Sequence, residues 1–165
     1  MDGMTPLVSF DTAVSVASWV RLDDDVMGGI SRSHLRYDPM GYAVFEGVVS
    51  LEHNGGFASV RSGPLAFPLA RAIHLNIRGD GKRYKLNLLT EDLPHGAHYQ
   101  AGFDTQAGTW ISVCLLFSVF SPTYRGRVLP GAPPLDSSAI RQIGFVIAEK
   151  QAGVFALEVH SIYVE

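Results

Sequence analysis

The sequence predicts an all-β fold, an antiparallel β-sandwich, on three observations. Apolar and polar residues alternate over short segments, turn residues punctuate those segments throughout, and almost nothing repeats with a helical period. The 17 glycines and nine prolines are spread along all 165 residues, a distribution of turns rather than of a disordered tail. Helix is expected in under roughly 15% of residues, against about a third in an ordinary globular chain.

The elements follow in order. Short strand-like segments lie near residues 31–37, 42–51 and 57–62. In "AIHLNIRGD", Ile73, Leu75 and Ile77 alternate with His74, Asn76 and Arg78, and the run stops at Gly79-Asp80-Gly81. "RYKLNLLTE" restarts it, with Tyr84, Leu86 and Leu88 on one face and Lys85 and Asn87 on the other. This pair reads as a hairpin closed by an Asp-Gly turn. Further segments fall near 98–104, 109–117, 142–149 and 154–164, with "KQAG" as a tight hairpin between the last two. "WISVCLLF" is apolar on both faces and is expected to be a central strand with Cys114 buried and inert. "DTAVSVASW" and "LDSSAIRQ" can each start a short helix, with Asp11 and Asp136 as N-caps. About nine strands without repeats, linkers or low-complexity stretches imply one domain spanning residues 1–165.

Composition narrows the function. A net charge of −3 with dispersed Lys and Arg provides no basic stripe, so nucleic acid is not an expected partner. The N-terminus has neither a secretory pattern nor the Arg-rich character of a transit peptide. No apolar run approaches the ~20 residues of a transmembrane helix, so a soluble, cytoplasmic protein is expected. A lone cysteine excludes an intramolecular disulfide.

"DDDVMGGIS", residues 23–31, sets three carboxylates against a glycine pair. Such a cluster needs water, a cation, a basic neighbour or backbone N–H groups to offset its repulsion. It lacks the spaced ligands of a calcium loop, and the expected role is structural: a turn around Met27, Gly28 and Gly29 held by an Asp. "HNGGFASVRS" is a second glycine turn, with Asn54, Gly55 and Gly56 ahead of Phe57. Both glycine pairs are expected to include positive φ. Lys82, Arg83 and Tyr84 could meet the Asp cluster if the fold brings them together. "SPTYRGRVLPGAPPLD" is a Pro/Gly-rich loop that carries Tyr124, Arg125 and Arg127. His95 and His98 form H-x-x-H without a third ligand. No nucleophile sits in an activating context, so no catalytic residue, metal or cofactor is expected.

In this order, "W…DDDVMGGIS", "FEGVVSLEHNGGFASVRS", "RGDGKRYKLNLLT", "AGFDT…GTW", "FSPTYRGR" and "IRQIGFVIAEKQAGVFALEV" resemble the complex I intermediate-associated protein 30 family, from about Phe10 to Tyr163. The resemblance implies a galactose-binding-like jelly-roll sandwich. It also implies non-catalytic, chaperone-like factors that help assemble the membrane arm of respiratory complex I; related domains are fused to dinucleotide-binding domains in photosynthetic organisms. The present chain looks like a stand-alone bacterial member. The family pattern singles out Asp24 and makes Asp23 and Asp25 more replaceable.

The expected function is therefore protein binding and assembly, the client being an assembly intermediate of a respiratory or photosynthetic complex. The expected surface comprises Arg83, Tyr84, Tyr124, Arg125, Arg127, Lys150 and Gln151, because Arg and Tyr anchor interfaces. The alternative is a small-molecule or carbohydrate-binding module with a sugar ligand, which requires Trp19 or Trp110 to lie on the surface.

Overall fold

The computed structural model describes residues 3–165, apart from the side chains of Val26, Met27 and Asn54, so two side chains singled out above, Met27 and Asn54, lie outside the described residues. Thirteen strands occur among the described residues. They are β1 (Thr5–Ser9), β2 (Val20–Arg21), β3 (Arg32–Asp38), β4 (Tyr42–Val49), β5 (Ala58–Arg61), β6 (Ala72–Arg78) and β7 (Arg83–Thr90). The remainder are β8 (Ala97–Asp104), β9 (Trp110–Leu116), β10 (Ser121–Tyr124), β11 (Arg127–Val128), β12 (Ile140–Ile147) and β13 (Gly153–Val164). Helical geometry is confined to short 3-10 turns. The expected β-sandwich is the observed one.

Two antiparallel sheets form the jelly roll. One runs β3-β4-β13-β6-β9, and the other runs β11-β10-β8-β7-β12-β5-β2. The long β13 serves two neighbours on one side: residues 153–159 pair with β4, and residues 161–164 pair with β1. Alternation drives the packing. Ile73, Leu75 and Ile77 of the first sheet face Tyr84, Leu86 and Leu88 of the second, all fully buried. Phe45, Tyr84, Phe103 and Phe155 form an aromatic cluster joining both sheets, with Phe45 and Phe155 centroids 4.9 Å apart at 64°. Edge-to-face aromatic pairs of this kind add roughly 1 kcal/mol beyond their buried area.

Four sequence expectations are corrected. Gly79-Asp80-Gly81 does not close a hairpin, because β6 and β7 lie in different sheets. The same holds for "KQAG", since β12 and β13 are also in different sheets. Turn residues report a chain reversal, and in a sandwich a reversal can equally carry the chain from one sheet to the other. The "WISVCLLF" segment forms β9, an edge strand whose Trp110, Ser112, Cys114 and Leu116 are exposed. Only Ile111, Val113 and Leu115 pack inward, so Cys114 is not buried. Finally, Asp136 caps its 3-10 turn by accepting from the Ser138 N–H at 2.9 Å, but Thr12 rather than Asp11 occupies the other N-cap.

Candidate functional site

The acidic cluster resolves into a carboxylate lock. Asp24 is buried; one oxygen accepts the Ser31 N–H at 2.9 Å, and the other accepts the Ser31 hydroxyl, the Gly56 N–H at 2.7 Å and the Phe57 N–H at 3.4 Å. Burial pushes its pKa up, but the Ser31, Gly56 and Phe57 hydrogen bonds outweigh burial and leave it lowered. The glycines divide the work. Gly28 and Gly56 supply the positive φ, at 91° and 137°. Gly29 and Gly55 instead permit close approach, since a Cβ on either would lie 2.5 Å from the Asp24 carboxylate.

Asp23 departs from expectation. It is fully buried and accepts the Ser33 N–H and hydroxyl, the Ser59 N–H and Arg21, so its carboxylate is engaged as fully as that of Asp24 and is not the replaceable one. Asp25 is the exposed member, 3.3 Å from Arg21. The basic neighbour of the cluster is therefore Arg21. Lys82 and Arg83 do not reach it: the Lys82 ammonium donates to the Val154 carbonyl, and Arg83 pairs with Asp104.

A second lock explains "RGDGKRY". Asp80 accepts the Tyr84 hydroxyl at 3.0 Å, the Lys82 N–H at 3.1 Å and the Ala156 N–H at 2.9 Å, tying the β6–β7 crossover to β13. Gly79 leaves the space that Thr105 fills, for a Cβ there would overlap the threonine side chain; Gly81 has φ 89°. Tyr84 is 0% exposed, with its hydroxyl pKa raised by burial and then by Asp80. A fully buried ring cannot anchor a partner, so Tyr84 leaves the expected binding surface and joins the core.

The other six candidate residues fall into two groups. Arg83 reaches Asp104 at 3.0 Å and Glu149 at 3.6 Å. Gln151 grips the Arg83 backbone at both N–H and carbonyl, 2.9 and 2.6 Å, beside Lys150 at φ 59°. Tyr124, Arg125 and Arg127 form the β10–β11 hairpin, with the Arg125 guanidinium 5.3 Å from the Tyr124 ring centroid. Arg83 pairs with the last residue of β8, Asp104, and Tyr124 pairs with its first, Ala97. Seven strand steps separate them, about 23 Å. They are two ends of one sheet rather than one patch.

Between those ends lies a polar row that the sequence did not assign. Arg61, Gly144, Asn87 and Gln100 stand opposite one another across β5, β12, β7 and β8. Their chain neighbours Val60, Phe145, Leu86 and Tyr99 are buried, so the row faces outward. Gln100 donates to Asn87 at 2.8 Å and lies 3.3 Å from the His98 imidazole. Burial, with Arg61 and Lys85 nearby, pushes the His98 pKa down to about 4 and keeps it neutral. Lys85 has Glu149 at 4.0 Å. Arg61 has no hydrogen bond or ion pair among the described residues, and burial lowers its pKa. A half-buried guanidinium without a partner is costly, and it is paired in most proteins. Alternation had already placed Lys85 and Asn87 on the face opposite the core; the cross-strand register that adds Arg61, Gln100 and His98 is not visible in one sequence.

One group of described residues brings metal-ligating atoms together. His74, Cys114 and Glu165 hold theirs within 4.8 Å of one another, on β6, β9 and the chain end. The Glu165 carboxylate already accepts from His74 at 2.7 Å and from Arg71. No helix among the described residues is long and apolar enough to cross a membrane.

Comparison with known proteins agrees over nearly the whole chain. The family model described as Complex I intermediate-associated protein 30 (CIA30) matches residues 8–159. A Neurospora crassa protein named complex I intermediate-associated protein 30, mitochondrial, is 24% identical over 98% of this chain and 73% of its own length. The Drosophila melanogaster protein of that name is 27% identical, and the match covers 88% of this chain but only 57% of the fly protein. Among solved structures, a family 11 carbohydrate-binding module from Clostridium thermocellum aligns with a TM-score of 0.66 at 16% identity, covering 98% of this chain and 94% of the module. That likeness bears on the fold alone. Because the family model matches residues 8–159, nearly the whole chain, the chain belongs to the complex I intermediate-associated protein 30 family.

Proposed function

We propose that this protein is a non-catalytic binding and assembly factor whose client is an intermediate of a respiratory membrane complex, complex I by family. The outer face of the seven-stranded sheet is the surface that takes the client. The single observation that carries this reading is Arg61, a half-buried guanidinium without a partner among the described residues, in an outward polar row. Its planar fork suits a carboxylate bidentately. The Asn87–Gln100 amide pair and neutral His98 offer further hydrogen bonds beside it. An extended acidic segment of the client fits that chemistry, with Arg83, Lys150 and Gln151 at one end of the face and Tyr124, Arg125 and Arg127 at the other. The cytoplasm is the compartment proposed from the sequence; the fungal and fly relatives are named mitochondrial.

The reading is tested by capture. Immobilised protein is incubated with detergent-solubilised membranes of the native organism, and retained proteins are identified by mass spectrometry. Enrichment of complex I subunits by the wild type, lost in Arg61→Gln, supports the proposal. Capture unaffected by Arg61→Gln would reassign the face, and no enrichment of complex I subunits would remove the client.

A further inference from the structure

The opposite face of the molecule, on the six-stranded sheet, carries a site of different chemistry. Strands β13, β6 and β9 lie side by side there, and their register builds three outward rungs. Glu158, Arg78 and Trp110 make the first, Ser161, Asn76 and Ser112 the second, and Tyr163, His74 and Cys114 the third. A bulge between Val159 and Ser161 inserts His160 at the second rung, so both Val159 and Ile162 can face the core. Successive rungs are two residues apart, about 7 Å.

An open cleft of about 410 Å³ runs along these rungs, lined by Asn76, Trp110, Ile111, Ser112 and His160. A second, of about 190 Å³, continues it through Asn76 and Ser112 toward His74 and Tyr163. Trp110 is 41% exposed, yet its ring is fixed. The Tyr42 ring meets it edge-on at 5.5 Å, and the His160 ring lies 6.3 Å away at 87°. The Arg78 guanidinium lies over one face of the indole, 4.8 Å from its centroid, so a ligand has only the remaining exposed part of the ring. Trp19, the other tryptophan, packs against Phe10 and Phe145.

Charge at the cleft is cancelled internally. Glu158 grips Arg78 in a two-point pair, at 2.9 and 2.6 Å. Neutral donors and acceptors remain available. Asn76 spends its amide N–H on the Ser161 hydroxyl at 2.9 Å, which leaves its carbonyl oxygen without a partner among the described residues. His160 turns Nδ1 to the same hydroxyl at 3.1 Å, and neither its Nε2 nor the Ser112 hydroxyl has a hydrogen-bond partner among the described residues. A part-exposed indole beside an amide oxygen, a hydroxyl and an imidazole nitrogen suits a ligand with an apolar face and a rim of hydroxyls, and the absence of unpaired charge at the cleft among the described residues disfavours an ion.

We propose that the Trp110–Asn76–Ser112–His160 cleft binds a neutral pyranose, one sugar ring stacking on Trp110 and the chain continuing along the second and third rungs. This site is independent of the client-binding face, which lies on the other sheet.

The test is titration of the intact protein with neutral tetrasaccharides (cellotetraose, maltotetraose and a β-1,4-mannotetraose), followed by tryptophan fluorescence and calorimetry. Saturable binding of at least one, with a blue-shifted emission, is expected. Trp110→Ala should weaken it roughly tenfold or more, and Trp110→Phe should retain part of the affinity. Ser112→Trp, at an exposed position outside the Trp110 packing, should block the cleft while leaving the melting temperature unchanged. Arg61→Gln should leave sugar binding intact, so this proposal and the assembly reading can fail separately. Binding of none of the three at millimolar concentration, binding that survives both Trp110→Ala and Ser112→Trp, or preference for a uronate over its neutral counterpart would each overturn the proposal.

Discussion

Replacing Asp24 by Asn isolates the chemistry of the carboxylate lock, because the two side chains have nearly the same shape. In the wild type, one oxygen serves the Ser31 N–H, and the second serves the Ser31 hydroxyl and the Gly56 and Phe57 N–H groups. An amide retains one acceptor oxygen and turns an N–H₂ group toward the other donors. Ser31 can rotate its hydroxyl to accept, but the Gly56 N–H cannot follow. The loss is one charge-assisted hydrogen bond, worth about 1.5–3 kcal/mol, plus part of the cost of an unpaired buried N–H. Roughly 2–4 kcal/mol results. For a chain of this size each kcal/mol shifts the midpoint by about 2–4 °C, so a drop of roughly 5–15 °C is expected by calorimetry. Asp25→Ala, at the exposed member, should cost under about 0.5 kcal/mol. If Asp24→Asn were as harmless as Asp25→Ala, the lock would be refuted.

Three more outcomes are expected. Asp23→Asn should cost as much as Asp24→Asn in urea denaturation, since Asp23 also satisfies four donors; a negligible cost would restore the reading that only Asp24 matters. Stability should fall on acidification from about pH 6.5 toward pH 4, where the unfolded chain protonates at the His98 position and the folded one does not. The contribution is complete above the unfolded pKa and amounts to roughly 3 kcal/mol. His98→Gln should flatten that part of the profile, and an unchanged slope would exclude His98 as its source. Arg125→Ala and Arg127→Ala should weaken client capture at constant melting temperature, whereas loss of folding would assign these arginines to the internal framework.

The fold was legible because alternation is a direct readout of which face meets the core, and Ile73/Leu75/Ile77 and Tyr84/Leu86/Leu88 followed it. Which strands pair was less legible. Asp80-Gly81 and Gly153 mark reversals, but a reversal within a sheet and one between sheets use the same residues. Apolar content misled at β9, where an edge strand keeps Trp110, Cys114 and Leu116 outside; an apolar side chain on the surface is common and carries no local signature. The site divided along similar lines. The family pattern singled out Asp24, but its carboxylate bonds Ser31 and the distant glycine turn at Gly56 and Phe57 rather than the adjacent Met27-Gly28-Gly29 turn, a long-range pairing that one sequence does not show. Tyr84 was misassigned because its period-two position in the core competes with the binding preference of its residue type, and position prevailed. Arg61, Asn87 and Gln100 became a row only through the register of four strands drawn from distant parts of the chain.

Whether the Arg61 face takes the client is decided by capture from solubilised membranes, with wild type and Arg61→Gln compared at matched melting temperature. Arg61→Gln removes a half-buried charge without breaking any pair among the described residues. The variant is therefore expected to fold as stably as the wild type, or more so, and to lose the complex I subunits. Equal recovery of those subunits by the two proteins would rule the face out.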